Sequence, residues 1–190
     1  MKSNSANPAL LLIDLQKGFD DQAHWGGNRN NPKAEEKILS ILNKWRKLHL
    51  PIYHVIHSSL DPNSKLHESD SGFEIKNEFK PADGETLIVK HVNSAFIGTD
   101  LKERLDKEGI NDLVVVGLTT NHCVSTTVRM AGNLGFKVLL ISDATASFDR
   151  LGLNGERFDS ELIHQTALAS LNKEFAEVID SKELLNREIV

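Results

Sequence analysis

Leu113-Val114-Val115-Val116-Gly117-Leu118-Thr119-Thr120-Asn121-His122-Cys123-Val124-Ser125-Thr126-Thr127-Val128-Arg129-Met130-Ala131-Gly132-Asn133-Leu134-Gly135 is the stretch on which the fold turns. It opens with an uninterrupted aliphatic run, Leu113 to Val116, the composition of a strand covered on both faces. Gly117 ends that run. Thr119, Thr120 and Asn121 are all helix-capping types, and Val124, Val128, Ala131 and Leu134 then return at a helical period. The pattern places Cys123 in the first turn of a helix, just past the carboxyl end of a buried parallel strand. Ligands bind at that position in open α/β sheets, and the free amide groups of a helix start favour a thiolate there. The competing reading is that a lone Cys is a small buried hydrophobe. A base and a cation supplied by other strands would decide between the two.

Working outward, Ala9 to Leu15 reads as a first buried strand that carries Asp14 at its carboxyl end, followed by a polar, glycine-bearing loop to Asn31. Phe19 and Trp25 in that loop are candidates for the wall of a pocket, or for aromatic cover of the core. Ala34, Ile38, Ile41, Leu42, Trp45 and Leu48 follow Pro32 at helical spacing. Pro51 to Ile56 is a second strand, and Ser58 to Lys80 is a long polar loop of the kind that forms a lid or a subunit contact. Thr86 to Lys90 is a third strand ending in a cation, and Leu101 to Glu108 an amphipathic helix. Beyond the central stretch, Phe136 to Ser142 is a strand, Arg150 to Arg157 a glycine-rich loop, Ser160 to Asn172 a helix and Phe175 to Ile179 a last strand. Strands alternating with helices across long connections predict an α/β fold, a three-layer α/β/α sandwich with a mainly parallel sheet of about six strands.

The chain has 190 residues, expected to form one domain over 1–190, with 22 Lys and Arg against 27 Asp and Glu and a net charge of −5. No basic run is present, which argues against nucleic acid or an anionic membrane as partner and for a small-molecule substrate. The single Cys allows neither an intrachain disulfide nor a Cys-based zinc cluster. The polar start from Met1 to Pro8 holds no apolar leader core, and no run approaches the ~20 residues of a membrane span. A cytoplasmic location is therefore expected. Of the eight His residues, His54 and His57 lie three apart on a strand and point to opposite faces, and His67 and His91 have no partner at ligand spacing. No metal and no cofactor is expected.

Three strands thus end in an acid, a cation and a thiol, Asp14, Lys90 and Cys123, and in a parallel sheet all carboxyl ends share one rim. Lys90 would hold the thiolate and Asp14 would carry protons between nucleophile, leaving group and water. His122 stands next to the thiol, but on a helix adjacent side chains diverge by about 100°, which assigns it a supporting or surface role.

Taken together, Leu11-Leu12-Ile13-Asp14-Leu15-Gln16, Lys90 with Ser94-Ala95-Phe96, Gly117-Leu118-Thr119-Thr120-Asn121-His122-Cys123-Val124 and Asp143-Ala144 resemble the isochorismatase-like cysteine hydrolases, a superfamily that includes nicotinamidases and N-carbamoylsarcosine amidases. The resemblance implies that Asp14, Lys90 and Cys123 form a catalytic triad. It also implies a cis peptide between Leu118 and Thr119 that turns the Thr119 and Cys123 backbone N–H groups into an oxyanion hole. Gln16 and Phe19 match pocket-lining positions, and Trp25 and Phe96 join them as candidate substrate contacts. The Asp-x-His metal motif of nicotinamidases is replaced by His57, Ser58 and Ser59, which favours the metal-free branches. Relatives of this kind are commonly dimers or tetramers, so a homo-oligomer is expected. The implied activity is hydrolysis of a small amide, ureide or imide through a Cys thioester. Vinyl-ether hydrolysis of isochorismate, or a non-catalytic redox-sensing role for Cys123, are the alternatives.

Overall fold

The computed structural model describes residues 7–188; the polar start at Met1 to Ala6 lies outside them. The strands in chain order are β1 (Ala9–Ile13), β2 (Ile52–His57), β3 (Thr86–Lys90), β4 (Asp112–Leu118), β5 (Lys137–Ala146), β6 (Arg150–Leu151), β7 (Arg157–Phe158) and β8 (Glu177–Ile179). The helices are α1 (Gln22–Trp25), α2 (Ala34–Lys47), α3 (Leu101–Lys107), α4 (Ser125–Asn133), α5 (Ser160–Leu171) and α6 (Ser181–Asn186). Six strands form one sheet in the order β3-β2-β1-β4-β5-β8, every pair parallel. This is the sandwich expected from the alternating pattern.

Side-chain alternation along the central strands explains the layers. Ala9, Leu11, Ile13, Leu113 and Val115 face a core completed by Leu101, Leu105, Val128, Ala131 and Leu168 from α3, α4 and α5. Leu10, Leu12, Val114 and Val116 face the other way, onto Ile38, Ile41, Leu42 and Trp45 of α2 and Leu184 of α6. A third cluster, Phe19, Ala34, Leu66, Leu118, Ala146 and Phe148 with Trp25 against it, gathers beyond the sheet.

Three local features depart from the sequence reading. Arg150 to Arg157 is not simply loop: its ends pair as the antiparallel β6–β7 ladder, with strands too short to show alternation. Strand β5 runs four residues beyond Ser142 to Ala146, because a register shift lets Thr145 and Ala146 pair with Gly117 and Leu118. The stretch from Ser58 to Lys80 folds back onto the segment after β1, where Lys17 N–H donates to the Glu74 carbonyl and Lys76 N–H to the Leu15 carbonyl.

Topology explains where a site forms. Strand β2 lies on one side of β1 and β4 on the other, so the chain leaves the two central strands in opposite directions and opens a crevice at their carboxyl ends. Gly117 is the residue that lets these strands close up: it pairs with Ile13, has φ of 123°, and a Cβ there would lie 2.0 Å from the Ile13 carbonyl oxygen. Gly117→Ala is therefore expected to cost about 3 kcal/mol or more; urea unfolding of the variant beside the wild type measures it.

Candidate active site

Asp14 follows β1 directly, in a left-handed conformation at φ of 50°. Its N–H donates to the Val55 carbonyl, which keeps the backbone in register with β2 for one more residue. Both Asp14 and Lys90 are fully buried, and Lys90 Nζ donates to Asp14 Oδ2 at 2.9 Å. The same ammonium is 3.0 Å from His57 Nδ1. Burial first, then the charge of Lys90, lowers the His57 pKa, with Asp14 opposing. His57 is thus the neutral acceptor of a Lys90 hydrogen bond.

Cys123 is nearly buried, and its S–H points to Asn93 Oδ1 at 3.6 Å. A carboxylate oxygen of Asp14, a ring nitrogen of His57 and Cys123 Sγ all lie within 4.8 Å of one another. Asp14 Oδ1 is buried and has no hydrogen-bond partner, an uncommon state for a charged oxygen. Two of these three residues, Asp14 and His57, already accept from Lys90, so the cluster holds a positive charge at its edge.

Two expectations about the thiol need correction. Cys123 does not begin an α-helix: Thr120–Val124 is a π-helical turn, closed by Val124 N–H on the Thr119 carbonyl, and α4 starts only at Ser125. Nor is the thiol poised to ionise. Burial pushes its pKa up, Asp14 pushes it further in the same direction, and Lys90 only partly opposes them. The cation is committed to Asp14 and His57, and the thiol rests protonated beside a carboxylate.

The remaining candidates are placed as follows. The Leu118–Thr119 peptide is cis, and the Thr119 carbonyl accepts from His122 N–H and Val124 N–H, which ties it to the π turn. Gln16 is fully buried and its amide is spent on backbone: Nε2 donates to the His57 and Phe73 carbonyls, and Oε1 accepts from His57 N–H. It fixes the end of β2 and so the imidazole. Phe19 stacks on Trp25 with centroids 4.7 Å apart, over Phe148 and beside Leu118. Phe96 is partly exposed, stacks on Phe136 at 5.7 Å and packs against the core. Sequence reasoning missed His57, Asn93 and Arg150. The signal for His57 was available, since it ends β2 as Lys90 ends β3, and the two are register partners.

A thiol, a carboxylate and an ammonium are thus collected at the crevice of a doubly wound parallel sheet, the place where ligands bind in open α/β folds. The family model of the isochorismatase domain matches residues 8–183, and the chain belongs to this family of hydrolases. It is 48% identical to the uncharacterized isochorismatase family protein YrdC of Bacillus subtilis over 94% of each chain. The solved structure of an isochorismatase-family protein from Chromobacterium violaceum superposes with a TM-score of 0.91 at 42% identity, covering 97% of this chain and 95% of the other. Nicotinamidase 3 of Arabidopsis thaliana is 27% identical over 95% of this chain and 88% of its own.

Removing one member of a buried ion pair leaves the other uncompensated. Lys90→Met is expected to destabilise the fold by about 3–5 kcal/mol, and Asp14→Asn added to it should recover part of that loss in urea unfolding. A second expectation concerns pH. Burial is the main cause that lowers the pKa of His54, His57, His122 and His164 below the ordinary 6.5. The unfolded chain then binds more protons than the folded one as pH falls through about 6.5, so stability is full above that window and declines below it. Burial also pushes Glu85 up, but hydrogen bonds from Arg46, Ala82 N–H and His54 overcome it and hold the carboxyl at about 2, so its contribution fades only in stronger acid. Tm should fall steadily between pH 7.5 and pH 5.

Proposed function

We propose that this protein is a metal-free, cofactor-free hydrolase that cleaves the C–N bond of a small amide, ureide or imide through a thioester on Cys123. The chief support is the buried, unpartnered Asp14 Oδ1 in the cluster that holds the protonated thiol. That oxygen is the acceptor available to a proton leaving sulfur, and its partner oxygen is held by Lys90.

The sequence of bonds follows. Asp14 takes the S–H proton as Cys123 sulfur bonds to the substrate carbonyl carbon, and the carbonyl electron pair moves onto oxygen. The N–H groups of Thr119 and Cys123 receive that oxyanion; a donor of this kind is worth about 3 kcal/mol in the transition state. Collapse breaks the C–N bond, the Asp14 proton passes to nitrogen, and the amine or ammonia departs from a thioester. Asp14 then takes a proton from water as the hydroxyl bonds to the acyl carbon, the C–S bond breaks, and sulfur recovers its proton from the carboxyl. The acid leaves and the starting state returns. Lys90 supplies a fixed positive charge throughout, and His57 accepts one of its N–H bonds so that the ammonium stays aimed into the cluster.

That a relative carries the name nicotinamidase is consistent with amide substrates, and a dimer or tetramer belongs to the same proposal. The test is a screen of small amides and ureides for ammonia release. Cys123→Ala and Asp14→Asn should each lower turnover by about 10³-fold or more, with a thioester adduct on wild-type Cys123 trapped by mass spectrometry. Turnover that survives Cys123→Ala but not Asp14→Asn would transfer the chemistry to the acid alone, as in vinyl-ether hydrolysis, and would overturn the thioester.

A further inference from the structure

The chain contains seven arginines. Arg29, Arg46, Arg104, Arg157 and Arg187 are paired with carboxylates, and Arg129 lies over the Phe175 ring. Among the described residues Arg150 alone has neither. It is not a solvated surface side chain: the residue is only partly exposed, and its Nε is buried with no hydrogen-bond partner. Its single polar contact is from Nη2 to His122 Nδ1 at 3.1 Å. His122 Nδ1 accepts there, Asn121 Nδ2 lies 3.3 Å from its Nε2, and burial together with the charge of Arg150 lowers the pKa of the ring.

The surroundings are those of a binding cleft. Arg150 lines a concavity of about 670 Å³ with Trp25, Gly26, Gly27, Leu151 and Arg157. Asp149 also borders it, but Arg157, the Ser160 N–H and Asn28 already take up that carboxylate. His122, which Arg150 contacts but which does not itself line the concavity, reaches Thr119 Oγ1 and belongs to the turn that carries Cys123. On one side, Trp25 presents a half-buried aromatic ring that stacks on Phe19 and Phe148. A partly desolvated guanidinium without a counter-ion, beside an aromatic wall, is a receptor for a planar oxyanion, which it can bind in a fork.

We propose that Arg150 is an anion subsite and that the substrate is a small amide or ureide bearing a carboxylate, which Arg150 holds while the carbonyl is presented to Cys123. The assignment of a substrate rests on the amide-hydrolase function proposed above; the anion site itself does not. Neutral His122 links the subsite to the reacting turn, so the guanidinium would act on binding and orientation and not on the bond that breaks.

The test uses benzoate as a planar carboxylate with an apolar ring and benzamide as its neutral match, with binding followed by tryptophan fluorescence. Saturable binding of benzoate to the wild type is expected, weaker by about tenfold or more in Arg150→Gln, largely kept in Arg150→Lys, and absent for benzamide. A parallel readout is alkylation of Cys123: the rate with iodoacetate relative to iodoacetamide should be higher in the wild type than in Arg150→Gln. Equal benzoate affinity in wild type and Arg150→Gln, or binding that does not distinguish benzoate from benzamide, would overturn the subsite. If Arg150→Gln does not fold, the comparison of benzoate with benzamide on the wild type decides alone. Benzoate binding with no amide turned over would leave the subsite standing and remove the amidase function.

Discussion

The buried pair of Lys90 with Asp14 is the interaction on which the rest of the site depends. The two residues end strands that are not neighbours, since β2 lies between β1 and β3, and the ammonium bridges that gap. Two charges with no solvent exposure are costly to desolvate, and they are tolerable only because geometry and further hydrogen bonds compensate. Here β2 supplies the compensation itself: His57 accepts from the same ammonium, and Gln16 clamps the His57 backbone on both its N–H and its carbonyl. Three strand ends are thereby tied into one polar cluster.

The pair also sets the state of the thiol. A lysine free to approach sulfur would draw its proton off; a lysine held by a carboxylate and an imidazole is largely neutralised, and the nearby carboxylate then acts against ionisation. The consequence is a resting thiol with a base beside it, in place of a standing thiolate. In the amide-hydrolase function proposed above, such an arrangement would leave the sulfur unreactive until a carbonyl arrives and would give Asp14 the first proton transfer as well as the departure of the amine.

Much of the fold was legible in the chain because its physics is local. Leu113 to Val116 and Ala9 to Ile13 are apolar on every residue, which only strands covered on both faces sustain, and the periodicity of Ala34 to Trp45 announces a helix lying on a sheet. The ends of three strands already displayed an acid, a cation and a thiol. What local pattern could not show were features decided by partners distant in sequence. The π turn at Thr120 to Val124 has the residues of an ordinary helix start. The extra pairing of Thr145 and Ala146 exists because β4 offers Gly117 and Leu118 to them. His57 looks like the tail of a strand until Lys90 is laid beside it, and Arg150 looks like a loop cation until the neighbouring Asp149 carboxylate is seen to be engaged by Arg157, the Ser160 N–H and Asn28.

The sequence by itself determined the layer architecture, the parallel sheet and the strand ends that carry Asp14, Lys90 and Cys123, since hydrophobic period and chain connectivity suffice for these. Tertiary structure decided which charges touch. It gave Lys90 to Asp14 and His57, left Asp14 Oδ1 unpartnered, kept the proton on Cys123 and left Arg150 without a counter-ion. The physical reason is that burial and electrostatic pairing depend on separations of a few ångströms between groups far apart along the chain, which no one-dimensional spacing encodes.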